Sequence, residues 1–155
     1  MNAFLEEVVT QGKVLREFVK YYQNENPTSK VASIFREKGY KRVLFAGMGS
    51  SYYAPYAVAD HLTKNKIPSV ILNAFEVSRY QFDLLTPDTM LVATSQSGKS
   101  KEVVELIGKA KDRTTVVGLV NKEDSPLAQQ AEFPIFLKAG PEAQISNKSY
   151  LCTQA

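Results

Sequence analysis

Short apolar segments alternate with helical patterns along the chain after residue 40. Five of these segments are typical of strands, at 42–46, 69–72, 89–94, 114–120 and 133–137. Helical or partly helical patterns separate them, at 51–64, 74–84, 100–110 and 125–130. Strands that are joined through helices form parallel crossovers. The sequence therefore predicts an α/β fold, a three-layer α-β-α sandwich with a five-stranded parallel sheet of order 2-1-3-4-5.

Two helical patterns precede the first strand and define residues 1–40 as an N-terminal helical segment. Apolar residues at helical spacing predict one helix over 3–24 and a second over 31–38, with Gly39 in the position of a C-terminal cap. Residues 41–155 are then expected to form one α/β domain. The last helical pattern starts at residue 142 and is still under way at Ala155, so we expect this domain to be truncated in its last helix.

Composition limits the partners and the compartment. The 155 residues have a net charge of +3, no basic run and no tryptophan, which argues against nucleic-acid binding. One cysteine and one histidine argue against a metal site, and no apolar run is long enough to span a membrane. A single cysteine, Cys152, is typical of a reducing compartment, so we expect a cytoplasmic protein.

The third predicted strand runs into a polar turn that predicts an anion site. A helix follows this turn, and a helix N-terminus offers unpaired N–H groups and a partial positive charge. In parallel sheets, ligands bind beyond the carboxyl ends of the strands. Gly98 is expected to let a ligand approach the backbone closely, because it lacks a Cβ atom. The predicted phosphate-binding residues are Ser95, Gln96, Ser97, Gly98 and Ser100.

A second polar turn follows the first strand, with Gly49, Ser50 and Ser51. The dinucleotide pattern G-x-G-x-x-G is not met, because Tyr52 stands at the third glycine. Two alternatives remain for the serines. One of them caps the following helix, or both hydroxyls, together with Gly49, contact a ligand.

Two further features suggest other chemistry. Gly98-Lys99-Ser100 is similar to the end of a P-loop, but Ala93 stands where the first glycine is required, so a P-loop NTPase is disfavoured. Glu142 precedes the last helical pattern. Its carboxylate is interpreted first as a favourable charge at a helix N-terminus and second as a general base for proton transfer between sugar carbons.

Six short segments form a further set of motifs: G-S-S-Y at 49–52, E-V-S-R-Y at 76–80, S-Q-S-G at 95–98, S-P-L-A at 125–128, A-G-P-E at 139–142 and K-S-Y at 148–150. In their order and spacing these segments resemble the SIS (sugar isomerase) family of phosphosugar-binding domains. The resemblance is to the first of two tandem SIS domains in the isomerase half of glucosamine-6-phosphate synthase, and to related sugar-phosphate isomerases and deglycases. Lys99 stands where the family commonly has glutamate, which favours a relative over the synthase itself.

The resemblance implies a ligand and a role for each matching residue. Ser95, Gln96, Ser97 and Ser100 would hold phosphate, Ser50 and Ser51 would contact phosphate or sugar hydroxyls, and Ile145 would contact the substrate. The implied partners are a sugar phosphate of the fructose 6-phosphate or glucosamine 6-phosphate type and a second copy in a homodimer, with no cofactor. In the family the main catalytic groups belong to a second SIS domain, which is absent here, so Glu142 is only a minor catalytic candidate.

The expected function is therefore phosphosugar binding within a larger enzyme. That enzyme would be an aldose–ketose sugar-phosphate isomerase or an amino-sugar-phosphate deglycase or aminotransferase. The alternative is a non-catalytic regulatory domain that senses a sugar phosphate.

Overall fold

The computed structural model describes residues 3–142 and 147–155. Its five strands form one sheet of order β2-β1-β3-β4-β5, and all neighbouring strands are parallel. The predicted fold class and strand order are confirmed. The strands are β1 Arg42–Gly47, β2 Ser69–Asn73, β3 Thr89–Ser95, β4 Val116–Val120 and β5 Phe133–Phe136.

Helices surround the sheet and precede it. The helices of the described residues are α1 Ala3–Glu25, α2 Thr28–Glu37, α3 Ser50–Tyr53, α4 Tyr56–Lys64, α5 Ala74–Arg79, α6 Lys101–Ala110, α7 Pro126–Gln130 and α8 Asn147–Gln154, with a 3₁₀ turn at Phe82–Leu84. The single helix predicted over 51–64 is wrong, because the chain forms α3 and α4 there. Pro55 precedes α4 and lacks the N–H group that would continue α3.

One face of the sheet is covered by three helices over β1, β3 and β4. Helices α5, α6 and α7 pack on it, and α6 presents apolar side chains at helical spacing. Removing this apolar surface from water is the main contribution to the stability of the layer. The buried residues include Leu44 and Leu91 from the sheet and Val103, Leu106 and Ile107 from α6.

The opposite face is covered only in part. Helices α2 and α4 pack on it, and a groove of about 500 Å³ remains beside them, lined by Val43, Phe45, Met90 and Val92 among others. Helix α1 packs against α8 at the end of this layer. Among the helices of the described segments, none is both long and apolar enough to cross a membrane.

The strand order creates a switch point between β1 and β3. From β1 the chain moves to β2 on one side of β1, and then it returns to β3 on the other side. The loops that follow β1 and β3 therefore diverge and leave a crevice at the carboxyl ends of the strands. Gly47 is paired with Thr94 in the register of the two strands, so the two polar turns begin side by side.

Candidate functional site

The β3–α6 turn, residues 95–100, is held together by its own serine side chains. Ser95 is buried at the end of β3, and its Oγ accepts a hydrogen bond from Gly98 N–H at 3.1 Å. Ser95 Oγ also lies 3.1 Å from Ser100 Oγ. Ser97 Oγ accepts from Lys99 N–H at 3.2 Å. The residues that the sequence predicted as an anion site are thus brought together in one compact turn.

The N-terminus of α6 opens onto this turn without a side-chain cap. Ser100 occupies the N-cap position, but its side chain makes no capping hydrogen bond and is directed to Ser95 instead. The first N–H groups of a helix have no acceptor within the helix. An uncapped N-terminus therefore presents N–H donors and a partial positive charge, which suits phosphate.

The β4–α7 loop braces the β3–α6 turn from behind. Gln96 O accepts from Asn121 N–H, and Gly98 O accepts from Leu127 N–H, both at 3.1 Å. Ser125 caps α7, since its Oγ accepts from Ala128 N–H. These bonds fix the backbone of the turn before any ligand arrives.

Gly98 meets a different requirement from the one predicted. Its φ is +64°, and a Cβ atom at this position would lie 2.1 Å from Ser125 Oγ and 2.9 Å from Val120 Cγ2. The missing side chain therefore makes room for the start of α7. The expectation that it also lets a ligand approach the Gly98 backbone closely stays a prediction.

The β1–α3 turn, residues 47–51, has the opposite character. Gly49, with φ 53° and ψ −126°, is the N-cap of α3, so the expectation that Ser50 or Ser51 caps this helix is wrong. Ser50 is exposed and Ser51 is half-buried. Within residues 3–142 and 147–155 neither hydroxyl has a hydrogen-bond partner. Both are therefore available to a ligand.

Sequence reasoning missed the role of Gly47 in this turn. A Cβ atom on Gly47 would lie 2.6 Å from Ser51 O and 3.0 Å from Ser51 Cβ. The first turn of α3 thus sits directly on the end of β1. A glycine at the end of a predicted strand is a signal for such a close backbone approach, and it was present in the sequence.

Glu142 lies at the N-terminus of α8. Its Oε1 accepts from Lys148 N–H and from Ser149 N–H, each at 2.9 Å. This is the geometry of a helix-capping carboxylate, while its role as a general base stays a prediction. Lys148 is buried and donates through Nζ to Pro141 O at 2.7 Å. Ile145, the remaining predicted substrate contact, lies outside the described residues.

Three tyrosines on α3 and α4 form an aromatic cluster beside the β1–α3 turn. Tyr52 lies 4.9 Å from Tyr53 and 6.2 Å from Tyr56, measured between ring centroids. The hydrogen bond with the Tyr56 hydroxyl raises the pKa of Tyr52. Tyr53 and Tyr56 are more than half exposed, so the cluster packs at the surface rather than in the core.

Cys152 lies in apolar surroundings. It is buried between α8 and α1, and burial raises the pKa of its thiol to about 11. The reactive thiolate is therefore scarce at neutral pH. The one histidine, His61, is exposed on α4. The described residues contain no group of three or more His, Cys, Asp or Glu side chains placed to hold a metal ion.

Comparison with known proteins identifies the family. The model of the SIS domain family matches residues 37–154. The chain belongs to the SIS domain family. The match begins just before β1 and covers both polar turns, so the site described above lies inside the SIS domain.

Curated relatives of this SIS domain are longer proteins. Glutamine–fructose-6-phosphate aminotransferase (isomerizing) of Pyrococcus horikoshii is 31% identical over 154 residues, which are 97% of this chain and 25% of the relative. Arabinose 5-phosphate isomerase KdsD of Pseudomonas aeruginosa is 31% identical over 106 residues, which are 68% of this chain and 32% of the relative. The chain thus spans about a quarter to a third of these relatives.

Solved structures share the fold of this SIS domain. The C-terminal domain of glucosamine-fructose-6-phosphate aminotransferase from Francisella tularensis has a TM-score of 0.85 at 22% identity, with 99% of this chain and 44% of that one covered. The protein c3406 of E. coli CFT073, solved as a complex, has a TM-score of 0.71 at 16% identity, with 99% of this chain and 86% of that one covered.

Proposed function

We propose that this SIS domain binds a sugar phosphate at the β1/β3 switch point. The observation that carries the proposal is the uncapped N-terminus of α6 beside a turn whose hydroxyls are already fixed. A phosphate placed there would accept hydrogen bonds from backbone N–H groups and serine hydroxyls, and these charge-assisted bonds are strong. A nucleoside triphosphate fits less well. Ala93 lies within β3, so the turn that follows this strand is too short to form a P-loop.

In this proposal the β3–α6 turn binds the phosphate and the β1–α3 turn binds the sugar. Ser95, Gln96, Ser97 and Ser100 surround the phosphate, and Gly98 shapes the turn. Ser50 and Ser51, whose hydroxyls have no partner among the described residues, meet the hydroxyl groups of the sugar. Fructose 6-phosphate and glucosamine 6-phosphate are the substrate types that agree with the relatives named above.

We infer that catalysis belongs to a larger protein in which this domain is one part. The parent would be an aldose–ketose sugar-phosphate isomerase or an amino-sugar-phosphate deglycase or aminotransferase. In the proposed domain division, residues 1–40 are the helical segment and 41–155 the SIS domain, with a second SIS domain elsewhere in the parent. The single carboxylate proposed here for proton transfer, Glu142, already uses one oxygen to cap α8. A cytoplasmic location and a homodimer complete the proposal.

Isothermal titration tests this proposal on the chain itself. Fructose 6-phosphate, inorganic phosphate and ATP are titrated separately into the protein at fixed ionic strength. We expect fructose 6-phosphate to bind more tightly than inorganic phosphate, and ATP to be displaced by fructose 6-phosphate if it binds. The proposal would be contradicted if ATP bound more tightly than fructose 6-phosphate and were not displaced by it. It would also be contradicted if neither fructose 6-phosphate nor inorganic phosphate bound. Light scattering on the same sample tests the homodimer.

A further inference from the structure

Thr94 is a buried hydroxyl that the two turns leave unused. It is the residue before Ser95 in β3 and is 2% exposed. Its Oγ1 has no hydrogen-bond partner within the part of the chain that is described. A buried hydroxyl without a partner loses its hydrogen bonds to water and gains none in return, which destabilises the folded state. Such a group in a native structure calls for an explanation, and a functional site is a common one.

The register of the sheet places Thr94 beside Ser51. Thr94 is the neighbour of Gly47 across the β1–β3 pair, and both residues point to the face that also carries Phe45 and Val92. On that face Ser51 Cβ lies 3.0 Å from the position that a Gly47 side chain would take. The carbonyl group and Cβ atom of Ser51 fill that position over Gly47. Neighbouring strands are about 4.8 Å apart, so Ser51 packs over the end of β1, next to the strand that carries Thr94.

The hydroxyls of Thr94 and Ser51 complement each other in hydrogen bonding. Ser51 Oγ has no partner in residues 3–142 and 147–155, and Thr94 Oγ1 has none either. A serine hydroxyl that donates to a sugar oxygen can still accept one hydrogen bond. Thr94 can supply it when the Ser51 side chain turns to another χ1 rotamer and brings its Oγ within hydrogen-bond distance of Thr94 Oγ1. Chains of such hydrogen bonds strengthen one another.

We propose that Thr94 is a positioning residue of the sugar end of the site. When a sugar phosphate binds, Thr94 Oγ1–H donates to Ser51 Oγ, and Ser51 donates to a sugar hydroxyl. This inference rests on the proposed function, and it assigns Thr94 to the sugar and not to the phosphate. It predicts that the orphaned hydroxyl is a stability cost retained for ligand recognition.

Thr94→Val tests the proposal, because valine keeps the shape and removes the hydroxyl. We expect the Kd for fructose 6-phosphate to rise about three- to tenfold, the loss of about one neutral hydrogen bond, while the Kd for inorganic phosphate stays unchanged. The melting temperature should equal or exceed that of the wild type, because valine does not leave a buried polar atom without a partner. Thr94→Ser should restore the affinity.

Two controls separate positioning from general packing. Thr89→Val makes the same change at the other end of β3, where Thr89 Oγ1 is 2.8 Å from Thr86 Oγ1; it should lower the melting temperature and leave both affinities unchanged. In a double-mutant cycle, Thr94→Val should have no effect in the Ser51→Ala background.

The outcomes are distinct. Unchanged fructose 6-phosphate binding by Thr94→Val, an equal loss for inorganic phosphate, or additive effects with Ser51→Ala would each overturn the role of Thr94. If the wild type binds neither ligand, the proposed function itself fails.

Discussion

The β3–α6 turn and the β1–α3 turn follow neighbouring strands and are built from the same residue types, yet their hydroxyls behave differently. In the β3–α6 turn, Ser95 and Ser97 accept backbone hydrogen bonds and Ser100 approaches Ser95. In the β1–α3 turn, Ser50 and Ser51 have no partner among the described residues, and a glycine provides the cap. One turn is fixed in advance, and the other is free to adapt.

This difference matches the two ends of a sugar phosphate. Phosphate is a charged group of constant shape, and donors that are already in place avoid the entropic cost of ordering them on binding. Sugar hydroxyls differ in position from one sugar to another, and free serine hydroxyls can rotate to meet them. We therefore expect the β3–α6 turn to set the affinity for the phosphate and the β1–α3 turn to set the preference among sugars.

Gly98→Ala gives the largest expected effect. A Cβ atom at Gly98 would lie 2.1 Å from Ser125 Oγ, and φ is +64°, so overpacking and backbone strain add. We expect a loss of about 2–5 kcal/mol in the free energy of unfolding and no measurable binding of inorganic phosphate. Urea denaturation and titration calorimetry measure the two quantities.

Gly49→Ala is the matched control in the other turn. Gly49 has a positive φ of 53°, but no atom of the described part of the chain lies within 4 Å of a Cβ atom placed there. We expect only the backbone strain, about 1–3 kcal/mol, with phosphate binding retained. Adding Ser125→Gly to Gly98→Ala should recover part of the lost stability. If Gly98→Ala and Gly49→Ala lost the same free energy of unfolding, the close contacts at Gly98 would not distinguish the two turns.

Removing serine pairs tests how the ligand is divided. Ser97→Ala with Ser100→Ala should raise the Kd for fructose 6-phosphate by about 100-fold or more, because a hydrogen bond to a charged group contributes about 1.5–3 kcal/mol. The same variant should weaken the binding of inorganic phosphate to a similar extent. Neither ligand should then raise the melting temperature in a thermal-shift assay.

Ser50→Ala with Ser51→Ala is the companion variant. It should raise the Kd for fructose 6-phosphate by about tenfold, as expected for the loss of neutral hydrogen bonds, and leave the Kd for inorganic phosphate unchanged. Circular dichroism spectra should match the wild type for both pairs. If the two pairs weaken both ligands equally, the division between phosphate and sugar is wrong.

Ser125→Ala removes the brace behind the β3–α6 turn. The loss of the α7 cap should cost about 1 kcal/mol and lower the melting temperature by about 3 °C. Phosphate affinity should fall slightly, because Gly98 packs against Ser125. Asn73→Ala is the control, since Asn73 caps α5 through a 3.0 Å bond from Phe75 N–H; it should cost similar stability with no change in affinity. An identical affinity for both variants would mean that the brace does not reach the site.

The order of the sheet and the place of the crevice were predictable from the sequence. Short β-branched segments separated by helical patterns determine a parallel sheet, and the ends of its strands carry the ligand. The predicted helix boundaries were less accurate. Apolar spacing alone predicts one helix over 51–64, whereas Pro55 separates α3 from α4.

The hydrogen bonds within the site were not predictable. A serine near a helix start can cap the helix, bond another serine or remain free, and the sequence pattern is the same in each case. Tertiary contacts decide which of these three arrangements forms. In the β3–α6 turn, Ser100 Oγ lies within hydrogen-bond distance of Ser95 Oγ. In the β1–α3 turn, Gly47 allows Ser51 to pack on β1, and Gly49 occupies the N-cap position of α3. The packing of Gly98 on Ser125 also joins positions far apart in the chain, so no local pattern indicates it.

Lys99→Ala should have the smallest effect and tests whether fixed donors or a mobile charge hold the phosphate. The Lys99 side chain is exposed, whereas its backbone N–H donates to Ser97 Oγ and survives the substitution. An exposed charge is screened by salt and contributes at most about 1 kcal/mol, so we expect the Kd for inorganic phosphate to rise less than about fivefold and the difference to shrink as salt increases. Lys101→Ala, an exposed lysine in the first turn of α6, is the matched control and should behave alike. A loss for Lys99→Ala that approaches that of the Ser97/Ser100 pair would show that charge, not the prepared turn, dominates the site.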